Sequence, residues 1–243
     1  MYWENIVVDA IEPRALGRFW EEALGAETLT DEPDVYETRL HQEGGQQGGP
    51  VLDLCFQQVP EPPSEPVRLH LDLRGAERQR QVVDRLLGLG ARHLDIGQGD
   101  VAWVVLADPE DNAFCVMEQR PAYADTGPVA ALPLDSADPG RDAAFWAWLT
   151  GWTPAPGVAP HSLRHPSRRG PLLEMCPEPA PKGVGKNRVH LDIRLESGDD
   201  ADEVARGIAD RGGRELHPDW GDLPWRFFAD GSGNEFCLLP ARS

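Results

Sequence analysis

Positive charge is scarce in this chain of 243 residues: 23 Lys and Arg stand against 41 Asp and Glu, a formal charge of -18. That balance excludes the basic face that nucleic-acid binding uses to neutralise phosphates, and it disfavours attraction to anionic membrane surfaces. A neutral or cationic small molecule is the partner it favours. Lysine is nearly missing. Only Lys182 and Lys186 occur, both in a Pro/Gly-rich stretch, which argues against a desolvated Schiff-base lysine. Long apolar runs are missing too. None approaches the roughly 20 residues of a membrane span, and Met1-Tyr2-Trp3-Glu4 has neither the basic start nor the apolar core of a signal peptide, so a cytoplasmic location is expected. Cysteine is sparse: Cys55, Cys115, Cys176 and Cys237 form no CxxC pair, which disfavours a zinc ribbon or a thioredoxin-like motif. Each lies in an apolar run, where a reduced thiol packs as a small hydrophobe.

What the chain does contain is a duplication. Val67-Arg68-Leu69-His70-Leu71-Asp72-Leu73-Arg74 returns as Arg188-Val189-His190-Leu191-Asp192-Ile193-Arg194. Both copies alternate apolar and polar residues with a period of two, the pattern of a strand that buries one face. Arg68, His70, Asp72 and Arg74 share the other face, as do Arg188, His190, Asp192 and Arg194. A histidine so placed either lines a polar groove or bonds the neighbouring strand.

The rest of the chain repeats around that stretch. Asn5 to Ala10 reads as a strand, and Glu12-Pro13 opens a helix whose Leu16, Phe19, Trp20, Ala23 and Leu24 recur at helical spacing, with Pro13 suited to the first turn and Gly25 to its end. Strands follow near Val35 to Leu40 and Val51 to Gln57, separated by a glycine-rich loop over residues 44–49. Pro60 to Pro66 is a linker by composition. After the His70 strand come a helix from about Ala76 to Leu89 and strands near Val101 to Leu106 and Ala113 to Glu118. In the second half Phe145-Trp146 matches Phe19-Trp20, Leu173-Glu174-Met175-Cys176 matches Leu52-Asp53-Leu54-Cys55, Trp225 matches Trp103, and Asn234-Glu235-Phe236-Cys237 matches Asn112-Ala113-Phe114-Cys115. Tandem domains over 1–120 and 129–243, joined by a linker over 121–128, are the expectation.

The Phe-Trp helix, the His-Leu-Asp strand and the turn Asp108-Pro109-Glu110-Asp111-Asn112 resemble the vicinal oxygen chelate superfamily of glyoxalases, bleomycin-resistance proteins and extradiol dioxygenases, and within it the glyoxalase-like domain. The resemblance covers nearly the whole chain, once per half. It implies an α+β fold of two tandem domains, each a pair of βαβββ modules whose curled mixed sheet forms a cup, helices outside and ligand inside.

Catalytic members of that superfamily hold a divalent metal on two histidines and a glutamate. By resemblance the fifth-strand ligand is His70 or His190, the first-strand place falls on Asn5 or Ala131, and the last-strand place on Cys115 or Cys237. Each half thus keeps one histidine of three ligands. The expectation is a cup without a complete metal triad and without a resident cofactor, binding a small hydrophobic or cationic organic molecule as sequestering members do. Its lining would be Asn5, His70, Asp72, Trp103 and Cys115, with His190, Asp192, Trp220, Trp225 and Cys237. Tryptophan rings beside acids suit a planar or cationic guest, though Trp103 serves packing equally well; Trp20 and Trp146, on helix faces, read as core. The alternative is a metal-dependent lyase, isomerase or dioxygenase, with His70 and Cys115, helped by Asp53 or Cys55, as a soft zinc-like site. A third arrangement places the working cup at the interface between the halves. A shifted alignment would bring in Asp9, Asp135 or Glu118. Gly231-Ser232-Gly233 reads as a turn rather than a nucleophile elbow, and His161 and His165, flanked by Pro160 and Pro166, read as a solvated loop. Monomer and homodimer both remain open.

Overall fold

The structure, a computed structural model, describes residues 1–40, 48–61 and 67–242. The glycine-rich loop and the Pro60 to Pro66 linker lie largely outside the described residues. Four βαβββ modules follow one another. The first holds β1 (Tyr2–Ala10), α1 (Pro13–Leu24), β2 (Glu27–Asp31), β3 (Val35–Arg39) and β4 (Asp53–Gln58). The second holds β5 (Asp72–Ala76), α2 (Gln79–Leu89), β6 (Arg92–His93), β7 (Val104–Ala107) and β8 (Ala113–Glu118). The third holds β9 (Val129–Ser136), α3 (Pro139–Thr150), β10 (Thr153–Pro154), β11 (His161–Arg164) and β12 (Leu172–Pro177). The fourth holds β13 (Val189–Arg194), α4 (Ala201–Asp210), β14 (Arg214–Leu216), β15 (Arg226–Ala229) and β16 (Glu235–Leu239).

The α+β architecture and the module repeat are those expected. The pairing of modules crosses the halves. One eight-stranded sheet runs β14-β15-β16-β13-β1-β4-β3-β2 and joins the first module to the fourth; the other runs β10-β11-β12-β9-β5-β8-β7-β6 and joins the second to the third. Central contacts are antiparallel, β1 on β13 and β5 on β9. The passage over residues 119–128 therefore leads from one strand of a sheet to another strand of the same sheet. It carries a turn of 3-10 helix, Pro121–Tyr123, whose Tyr123 is buried.

Side chains tie the same elements the other way, within each half. The α1 indole of Trp20 donates to Asp108 Oδ2 at 3.0 Å, and the α3 indole of Trp146 donates to Asp230 Oδ2 at 3.1 Å. These aspartates head the turns before β8 and β16, where they also accept from the amides and side chains of Asn112 and Asn234. Edge-to-face rings close the cluster, Trp20 on Phe114 and Trp146 on Phe236. The α1 entry uses no cap of its own, because the Glu110 carboxylate accepts from the amides of Ile11 and Glu12, both at 2.8 Å. Gly17 is required for close approach: a Cβ there would sit 2.1 Å from the Tyr36 ring.

Two arginines then clamp the halves together. Arg68 Nε donates to Asn234 Oδ1 at 3.0 Å, and Arg188 Nη1 donates to Asn112 Oδ1 at 2.9 Å. The arginines beside each histidine are therefore occupied by the opposite half's turn rather than free to line a groove. Arg194 is likewise held by Glu4 and the Pro240 carbonyl. Two further expectations change. Regular pairing at the His70 stretch begins only at Asp72, with an isolated bridge at Leu69, whereas His190 lies inside β13. His161 to Arg164 is a strand, since Pro160 and Pro166 fall just outside it and leave its ladder with β12 intact. No helix among the described residues is long and apolar enough to cross a membrane.

Candidate functional site

Residues paired across neighbouring strands point to one face, and this fixes two cups. In one, Asp72 stands opposite Cys115 of β8 and Ala131 of β9, and Ala131 stands opposite Leu172 of β12. In the other, Asn5 of β1 stands opposite Asp53 of β4 and Asp192 of β13, which in turn stands opposite Cys237 of β16. Asn5 therefore joins His190, not His70, and Asp53 and Cys55 lie in the sheet away from Cys115.

Each cup gathers the same three donors. A ring nitrogen, a carboxylate oxygen and a sulfur lie within 4.8 Å of one another in His70, Asp72 and Cys115, and again in His190, Asp192 and Cys237. His Nε2 to Asp Oδ1 is 3.4 Å in the first trio and 3.6 Å in the second, and Cys237 Sγ is 3.5 Å from His190 Nε2. Asp72 Oδ1 and Asp192 Oδ1 are both buried without a hydrogen-bond partner among the described residues, as is Nδ1 of His190. Asn5 Nδ2 donates to the other Asp192 oxygen at 3.1 Å.

Burial dominates the electrostatics of the His190 trio and of both thiols. It pushes the Asp192 carboxyl up to about 7 despite the Asn5 donation, and it holds the His190 imidazole well below its ordinary range, with the Lys186 charge adding to the effect. The Cys115 and Cys237 thiols are pushed up by burial and then by the carboxylates beside them. Burial favours the neutral forms of the Asp192 carboxyl and of both thiols, because their charged forms are poorly solvated there.

The surroundings differ. The His190 side chain is 5% exposed and the His70 side chain 30%. Over the His190 cup, Trp225 packs against Phe227, Cys237 and Leu239; Trp220 lies further out, about half exposed, its ring 5.0 Å from that of Phe227. Asp53 is gripped there by Arg39 through two bonds of 2.9 and 2.8 Å. In the His70 cup the register match of Asp53 is Leu172, and two residues beyond it stands Glu174, which no cation among the described residues bonds. It accepts from the Val158 amide at 2.8 Å and from the Tyr123 hydroxyl at 3.4 Å, and burial, followed by the Asp72 charge, raises its carboxyl above the ordinary range. Trp103 borders this cup with the Arg120 guanidinium 5.5 Å above its ring and 5.9 Å from that of Tyr123. The shifted candidates are committed elsewhere: Asp9 pairs with Lys186 and Glu118 with Arg120. Glu174 and Tyr123 escaped the reading of the sequence. The match of Leu173-Glu174 to Leu52-Asp53 was the available signal for Glu174, and Tyr123 lay in a stretch that reads as a linker.

The profile of the glyoxalase-like domain matches residues 5–117 and again 131–239. The chain belongs to the glyoxalase-like domain family. Among curated proteins none matches it. Glyoxalase I from Zea mays shares the fold with a TM-score of 0.67 at 17% identity, over 98% of this chain and 92% of that one. A candidate dioxygenase from Bacillus subtilis strain 168 does so with a TM-score of 0.61 at 16% identity, over 100% of this chain and 86% of that one. At such identities the likeness carries the fold alone, so the function of this glyoxalase-like protein rests on its two cups.

Proposed function

We propose that this chain is a metal-dependent glyoxalase-like enzyme, that each His-Asp-Cys trio holds a divalent transition-metal ion, and that the His70 cup binds and converts a small molecule carrying neighbouring oxygens. The observation that carries this reading is the spacing of the donors. Nitrogen, oxygen and sulfur around a tetrahedral ion, with bonds of about 2.0 to 2.3 Å, sit roughly 3.3 to 3.6 Å apart. His Nε2 stands 3.4 and 3.6 Å from Asp Oδ1 in the two trios and 3.5 Å from Cys237 Sγ in the second. All three donors of each trio lie within 4.8 Å of one another, and each aspartate keeps one buried oxygen unbonded among the described residues. A depressed imidazole such as that of His190 keeps its lone pair available, and a cation is what would let the neighbouring thiol and carboxyl ionise together. The donors therefore fit a soft ion of the zinc type, although they are not the two histidines and glutamate of the resembled enzymes.

When bound, such an ion polarises a substrate oxygen as a Lewis acid. The remaining groups of the His70 cup have their own tasks. Glu174, whose carboxyl burial raises above its ordinary range, is placed to exchange a proton with the guest. Tyr123 orients that carboxyl through its hydroxyl, and Trp103 offers a flat wall. Cobalt(II) replacement tests the assignment. Thiolate-to-metal absorption is expected from both sites, with part lost in Cys115→Ser and part in Cys237→Ser; a spectrum unchanged by both substitutions rules the trios out.

A second reading is favoured by one observation. Arg120 lies over both Trp103 and Tyr123, and its charge interacts with that of Asp72, so the cup already accommodates a flat cation. On this reading the chain binds a small hydrophobic or cationic organic molecule without metal, in a sequestration or resistance role. Binding of such a guest that survives His70→Ala with at most about 1 to 2 kcal/mol lost supports it over the first.

A further inference from the structure

A cavity of about 370 Å³ opens between the first and third modules, and no member of either trio lines it. Its walls touch directly: a Cβ on Gly170 would sit 2.5 Å from the Pro50 ring. One wall is apolar, formed by Leu40, Leu52 and Val129, and the other carries Arg168 and Arg169. The single acid among the lining residues is Asp125, and no ion pair joins it to an arginine among the described residues. Behind the wall sits Arg164, itself 8% exposed. Among the described residues it donates only to backbone carbonyls, to Ala124 at 2.9 Å and Gly170 at 3.1 Å. Burial and the Arg168 charge lower its guanidinium from the ordinary range.

Arg168 has one long bond to the Pro154 carbonyl, and half-buried Arg169 makes no hydrogen bond or ion pair with the described residues. Three guanidinium groups within six residues, facing one acid, stand out on a chain of charge -18. Three like charges gathered around one acid, whose charge acts on Arg164, raise the free energy of the empty site, and an arriving anion relieves it. Guanidinium is suited to this, since its planar fork matches an oxyanion with two bonds. The volume lies at the small end of ligand pockets, about 300 to 1,000 Å³.

We propose that this cavity is a second ligand site, separate from both cups, for a small organic oxyanion whose charged end meets Arg168 and Arg169 and whose apolar body rests on Leu40, Leu52 and Val129. The test is calorimetric titration of the full chain with phenyl phosphate, and with inorganic phosphate to measure the charged end alone. One phenyl phosphate per chain is expected, bound at least about tenfold more tightly than inorganic phosphate and weakened by salt. Arg169→Gln should weaken it by about tenfold or more, and Arg169→Lys by less, while the His70→Ala/His190→Ala double variant should bind as the parent does. Partnerless Arg169 can be replaced without disturbing the fold, which circular dichroism checks. Absence of saturable binding to the parent, equal affinity in Arg169→Gln, or loss of binding in the double histidine variant would each overturn the proposal.

Discussion

The two cups share a plan and part company in their surroundings. Both place histidine and aspartate at one spacing, with cysteine on the adjacent strand, and both are joined to the opposite half by an arginine on an asparagine. Yet the His190 cup is sealed under Trp225 and Phe227, and its spare carboxylate, Asp53, is locked by Arg39. The His70 cup leaves its histidine part exposed, and its spare carboxylate, Glu174, accepts from a tyrosine hydroxyl and is bonded by no cation among the described residues. Duplication thus lets the two cups diverge: one is closed over its trio by apolar side chains, and the other keeps a buried acid raised above its ordinary range. Module pairing across the halves makes this workable, since each cup draws strands from both copies and each half supports the other's site.

The largest effect that sharpens the contrast is expected from Arg39→Ala. It strands buried Asp53 without its counter-charge and should cost about 3 kcal/mol, at the low end for a buried pair because Arg39 is partly exposed. Urea unfolding measures this; a cost within error of zero would mean that Asp53 is no more locked than Glu174. Next come the clamps the cups share. Arg68→Ala should cost about 2 kcal/mol through its lost charge-assisted bonds, and Arg188→Ala somewhat less because Arg188 is only half-buried. A cost for one alone, in the same unfolding assay, would show that the halves are not joined symmetrically.

Glu174→Gln should have a smaller, pH-dependent effect. Because the folded carboxyl is raised, this group's contribution is fully present below the ordinary glutamate range and is lost as pH climbs through the raised value. The variant lacks that loss, so its melting temperature should gain on the parent's from pH 4 to pH 8. Parallel melting curves would contradict a cation-free Glu174. Smallest is Tyr123→Phe, worth about 1 kcal/mol or less in stability. Its signature is a further rise of the Glu174 carboxyl, seen by carbon-detected NMR titration, since the removed hydroxyl favours the ionised form.

The parts of this account that depend on local pattern were legible in the sequence. Apolar residues alternating around His70 and His190 placed the strands, the Phe-Trp repeat placed the helices, and the repeated Asn-x-Phe-Cys placed the last strand of each half. The partner of each module was not legible, because strand pairing between residues 2–10 and 189–194 depends on contacts that no local period encodes. The same blindness hid the arginine clamps, which look like groove residues until their asparagines are found in the other half. Cysteine at a position where the resembled enzymes use glutamate suggested a lost site; the cross-strand register places an aspartate two residues beyond each histidine opposite that cysteine. Pro160 and Pro166 drew His161 to Arg164 toward a loop because both prolines flank the strand without entering its ladder.

The central claim is most directly tested by counting metal. Protein purified without chelator, reconstituted with zinc and passed through a desalting column should retain two ions per chain by elemental analysis, one in His70→Ala, one in His190→Ala and none in the double variant. Folded parent protein that retains no ion, or a double variant that retains as much as the parent, would contradict the claim.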